Sequence, residues 1–127
     1  SLRSPLSRVL GSGSAKEGTD HWWMQRVTAL ALLILGAWFL LSFAGLESYS
    51  RGDLYGWVGA PLNAVMLLLL SITLAWHSLL GVQVIIEDYV HGPALKILAL
   101  LSSKFVHVFL AAAGVLAVRK VALGGSL

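Results

Sequence analysis

The sequence has no cysteine. Disulfides, iron–sulfur ligation and thiolate zinc sites are therefore excluded from this chain. Charge is also scarce: 12% of the 127 residues are Asp, Glu, Lys or Arg, about half the share in a soluble domain. The formal net charge of +3 rests on 9 basic and 6 acidic residues, with no polybasic tract, so nucleic-acid binding has no support. Residues 1–26 lack the short apolar run of a secretory leader, and no cleavable signal peptide is expected among them. No internal repeat is visible, which argues against transporters built from repeated halves. There is no P-loop, dinucleotide fingerprint, nucleophile triad or metal-hydrolase motif, and the apolar regions contain no carboxylate pair. A self-contained enzyme of the soluble type is not expected.

What remains is oily. Hydrophobic residues make up 57% of the chain, and the mean hydropathy of +0.82 is too high for a water-facing surface. We read an all-α integral membrane protein with three transmembrane helices. Residues 1–26 form a polar N-terminal surface segment, of which residues 1–20, rich in Ser, Gly and charge, are expected to be irregular. Trp22 and Trp23 suit an interfacial aromatic belt. Residues 27–127 form the membrane part. From Val27 to Leu46 no residue is charged, and a helix of about twenty residues spans roughly 30 Å, the thickness of the hydrocarbon core. The stretch 47–53 is a short polar loop. A second helix is expected over 60–90, with Pro61 in its first turn, where its missing N–H is unpaired anyway. Gly92-Pro93 breaks the chain, and a third helix is expected over 94–119. Arg3, Arg8, Lys16, Arg26 and Lys96 fall on the N-terminal side, against Arg51, Arg119 and Lys120 on the other. That bias places the N-terminus in the cytoplasm, or in the matrix of a mitochondrion.

Ionisable groups inside a span are costly, so each is a candidate for function. His77 lies roughly 15 Å below the membrane edge near Ile86, in the apolar setting LAWHSLLGVQ. Neutral imidazole is a good axial ligand for haem iron, and Gly81, one turn on, leaves room for a large flat group beside the helix. The plain alternative is a hydrogen bond from His77 to a neighbouring helix. Asp88 follows His77 by eleven residues, which returns it to within about 20° of the same helix face. Tyr89 offers a phenol at the membrane edge that suits a quinone carbonyl, and Asp88 could orient a donor or supply protons. The plain alternative there is a solvated helix end. Arg26, on the same side as Asp88, suits an anion such as a haem propionate or simply snorkels to the interface; His21 is similar and weaker. Lys104 and His107 occupy neighbouring positions of the third helix. His107 lies near the depth of His77, so a haem held by both histidines of this one chain is conceivable, while Lys104 could reach a lipid head group.

The segment HSLLGVQVIIEDYVHG, His77 to Gly92, resembles the signature of the small hydrophobic membrane anchor of succinate dehydrogenase, respiratory complex II. The segment KEGTDHWWMQRVTAL, Lys16 to Leu30, resembles the start of the first helix in that family. The resemblance implies a three-helix anchor packed against a second three-helix anchor of cytochrome b type, the two holding a flavoprotein and an iron–sulfur subunit. It implies that electrons pass from succinate to ubiquinone, and that a b-type haem lies between the anchors. Carried over, His77 is the axial ligand to the haem iron, Arg26 contacts a propionate, Tyr89 bonds the quinone and Asp88 supports that site. The chain would then be a non-catalytic subunit in a bacterial cytoplasmic membrane or a mitochondrial inner membrane. The same anchor could serve a fumarate reductase running the other way. A small transport component would need polar residues along several helices, which the first helix lacks between Thr28 and Ser42; a cofactor-free assembly protein would leave His77 replaceable.

Overall fold

The computed structural model describes the backbone of residues 13–124 and the side chains of residues 18–124. Among the described residues, four helices follow in order: α1 (Gly13–Ala44), α2 (Arg51–Gly59), α3 (Pro61–Tyr89) and α4 (Pro93–Ala122). Of these, α1 from Gly18, α3 and α4 are long and apolar enough to cross a membrane. Two boundaries follow the sequence closely: Pro61 and Pro93 each stand in the first turn of their helix. Two do not. The residues expected to be irregular are helical from Gly13 on, and residues 1–12 lie outside the described part. No proline stands between Gly13 and Val27, and Lys16, Glu17, Met24, Gln25 and Arg26 are all good helix formers. Polarity there marks where the helix leaves the bilayer, not where it ends.

The second departure is α2, which overlaps the loop expected over 47–53 and precedes the helix expected over 60–90. Ser50 caps it, its hydroxyl accepting from the Asp53 N–H at 3.2 Å, and the Ser48 hydroxyl donates to the Asp53 carboxylate. Trp57 anchors it. The indole N–H donates to Ser42 Oγ at 2.7 Å, and the ring lies 5.9 Å from Trp38, 5.8 Å from Phe39 and 5.7 Å from Phe43. Such a ring cluster with a wet polar tip suits a membrane edge.

The three long helices form an open layer. The central helix α3 packs against α1 on one side and α4 on the other, and the backbones of α1 and α4 do not approach each other among the described residues. The α3–α4 seam is close where small residues meet: a Cβ on Gly114 would lie 3.2 Å from Ser71 Cβ and Oγ. Side chains sealed inside the layer are few, chiefly Leu35, Ala64, Leu67, Leu80 and Thr28. The rest of the apolar surface faces outward, toward lipid or another protein chain.

Candidate functional site

Because α3 is central, its two faces meet different helices, and consecutive residues 77 and 78 look in different directions. His77 turns to α1. Its Nδ1 lies 2.9 Å from Thr28 Oγ1, and Thr28 is 4% exposed. Ser78 turns to α4, where its hydroxyl lies 3.0 Å from His107 Nε2. One turn beyond His77, the bare face of Gly81 looks at α1, where a Cβ would meet Gln25 Nε2 at 3.8 Å. The room expected there for a flat group is bordered by Gln25.

The two histidines at similar depth are thus in different states of engagement. His107 Nδ1 donates to the Ser103 carbonyl at 2.7 Å, and in the neutral ring Nε2 then accepts from Ser78. Both of its nitrogens are used inside the chain. Lys104 is exposed on α4 while His107 is half-buried. The structure does not bring the two histidines together: His77 faces the α1 seam and His107 the α4 seam. His107 instead ties α4 to α3.

His77 uses only one nitrogen. Its Nε2 makes no hydrogen bond among the described residues and is not among the polar atoms sealed from the surface without a partner. The atoms that are sealed in this way are His21 Nε2 and Gln25 Oε1. Spacings of four and three residues put His21, Gln25 and Thr28 on one face of α1, the face that meets His77. An orphaned buried polar atom costs roughly 1–3 kcal/mol. A reachable imidazole nitrogen beside two orphaned atoms fits a polar or coordinating group seated from outside the chain. A haem shared with a partner asks for one imidazole from each side, and the residues present fit that demand. No three His, Cys, Asp or Glu side chains gather into a metal site of their own among the described residues.

The other expected residues lie at the membrane edge where α1 begins and α3 ends. Asp88 and Tyr89 close α3, and Tyr89 is 76% exposed. Glu87, also exposed, accepts from Gln83 Nε2 at 3.0 Å. The continuous helix from His77 to Tyr89 keeps Asp88 near the His77 face, as the spacing predicts. Arg26 is exposed and its guanidinium lies 5.3 Å from the centre of the Trp22 ring, a cation–π contact. Two residues before Thr28, it points about 200° around α1 from the His77 seam. The structure therefore brings His77 together with Thr28, Gln25 and Gly81, and leaves Arg26 and Tyr89 open at the edge. Thr28 is the residue that sequence reasoning missed. A single Thr in an apolar run carries no signal of its own; its depth relative to His77 was the available clue.

Known proteins resemble this chain over most of its length. It is 33% identical over 118 residues to the succinate dehydrogenase hydrophobic membrane anchor subunit of Rickettsia bellii (strain RML369-C), covering 92% of this chain and 94% of that one. The same identity holds over 121 residues with the protein of that name from Paracoccus denitrificans, covering 95% and 93%. It is also 33% identical over 88 residues to the succinate dehydrogenase membrane anchor subunit of Reclinomonas americana, covering 67% and 73%. Residues 1–118 match the family described as succinate dehydrogenase/fumarate reductase transmembrane subunit. With three apolar spans and an unengaged histidine nitrogen on the central one, the chain belongs to that family of succinate dehydrogenase/fumarate reductase transmembrane subunits.

Proposed function

We propose that this chain anchors a succinate dehydrogenase in the membrane, gives one axial ligand to a b-type haem, and contributes the edge of a ubiquinone site. The observation that carries the haem reading is His77: Nδ1 is held by Thr28 and Nε2 is left for a ligand from outside. When bound, the haem would supply a one-electron carrier. The chain's own residues hold and orient. His77 Nε2 would face the iron, and a histidine from the second, cytochrome b-type anchor would complete the pair. Arg26, at the same membrane edge but turned about 200° around α1 from the His77 seam, is the cation proposed for a propionate, which would have to reach it around α1.

Tyr89, exposed at the end of α3, donates its phenol proton toward a quinone carbonyl, and Asp88 beside it accepts from or supplies protons to that site. The partner within the membrane under this reading is the cytochrome b-type anchor. An iron–sulfur subunit and a flavoprotein sit on the side of the N-terminus and the α3–α4 turn. That side is the cytoplasm of a bacterium or the matrix of a mitochondrion. Succinate oxidation is preferred over fumarate reduction because the relatives described above carry succinate dehydrogenase in their names. Transport gains no support from these polar groups: among the described residues His77 bonds to Thr28 across one seam and Ser78 to His107 across the other.

The test is spectroscopic. The complex is co-expressed with its partner chains, and the reduced-minus-oxidised spectrum is compared for wild type and His77→Ala. A b-type signal that His77→Ala abolishes or strongly perturbs is expected. An intact signal in the variant would show that another residue ligates the iron.

A further inference from the structure

Thr28 is the most enclosed polar residue of the spans, 4% exposed, and its hydroxyl has three neighbours. Oγ1 lies 2.7 Å from the Met24 carbonyl, 3.2 Å from the Gln25 carbonyl and 2.9 Å from His77 Nδ1. A hydroxyl has one proton and two lone pairs. The two carbonyls can only accept, so the proton is drawn to Met24, the shorter contact, and the lone pairs are left for His77. Sending the proton to His77 instead would press two oxygen lone pairs together at 2.7 Å. The imidazole must then be the donor: Nδ1 carries the proton and Nε2 carries the free lone pair. The helix backbone thus selects the histidine tautomer through a single side chain.

We infer that Thr28 is a positioning residue for the haem, fixing His77 as the tautomer whose Nε2 is ready to bind iron and strengthening that nitrogen as a donor. This rests on the haem reading of His77 given above. A metal-bound histidine ordinarily donates its other N–H to an acceptor, which sets the ring's tautomer and orientation and raises its basicity. Here the acceptor is a hydroxyl on the neighbouring helix, so the ligand's electronic state is linked to the α1–α3 seam. A more basic imidazole favours ferric over ferrous iron, so loss of the bond raises the midpoint potential.

The assembled complex is prepared with Thr28→Val, which keeps the volume and removes the hydroxyl, Thr28→Ala, which relieves any crowding, Thr28→Ser, which restores the hydroxyl, and His77→Ala. Haem content and midpoint potential are measured by redox titration of the haem band. Thr28→Val and Thr28→Ala are expected to hold haem about tenfold more weakly and to titrate at a higher potential, by up to about 59 mV for a tenfold change in ferric preference. Thr28→Ser is expected at the wild-type potential. A residue that served only packing would leave the potential unmoved in Thr28→Val. If His77→Ala loses the haem while Thr28→Val and Thr28→Ala match wild type in content and potential, the Thr28 inference is overturned and the ligand assignment stands. If His77→Ala retains the haem, the ligand assignment falls and the inference with it.

Discussion

Two histidines lie at similar depth in neighbouring spans, and hydrogen bonding alone separates their roles. His107 is closed by the Ser103 carbonyl and the Ser78 hydroxyl; His77 is held on one nitrogen and open on the other. His107→Ala in the assembled complex should leave the haem spectrum unchanged and lower thermal stability by about 0.6 kcal/mol, the average worth of an interhelical hydrogen bond measured within a membrane protein; a lost haem band would contradict this. Tyr89→Phe keeps the ring and removes the proton donor. It should slow quinone reduction while sparing succinate oxidation by an artificial dye acceptor, and equal loss of both activities would argue against a quinone contact. His77 was legible in the sequence because an ionisable group in an apolar run is conspicuous. Thr28 and Ser78 were not. A helix that is hydrophobic all round has no amphipathic period, so nothing in the sequence says which face meets which neighbour.

At the scale of elements, the breaks were legible where backbone chemistry is strict. Pro61 and Gly92-Pro93 start α3 and α4 where expected, because proline is tolerated only in a first turn. The helix α2 was missed although Ser50 and Asp53 stand at capping-box spacing. Its first residues were read as loop because 47–53 is polar, and its tertiary anchor, Trp57 on Ser42, lies outside any local pattern. The polar start of α1 was missed because composition reports solvent, not backbone. The α3–α4 seam yields its own prediction. At Gly114 an added Cβ already meets Ser71 at 3.2 Å, so Gly114→Leu should force the helices apart and destabilise the assembled complex by roughly 1–3 kcal/mol. A melting midpoint equal to wild type would show that the seam can yield. Gly36, whose Cβ would meet nothing, is the control: Gly36→Ala should leave the melting midpoint of the assembled complex near wild type.

At the scale of the whole molecule, the decisive feature is the open layer. With the backbones of α1 and α4 apart, α3 is packed among the described residues by α1, α4 and the short α2 alone, and large apolar side chains such as Leu33, Leu41, Phe105 and Phe109 are exposed. Apolar patches of that extent mark interaction surfaces or lipid contact. Extracted alone in mild detergent, the chain should aggregate or be degraded, and co-expression with the other anchor should restore a single species by size exclusion; a well-behaved isolated monomer would mean that lipid alone covers these faces. The hydrogen bond from Thr28 to the Met24 carbonyl matters in time as well as in space. Before α3 docks against α1, a bare hydroxyl on α1 would stand unpaired in hydrocarbon. Since its proton is already bound within its own helix, α1 can wait in the lipid without a partner. The docking of α3 then adds a bond to a spare lone pair and breaks nothing.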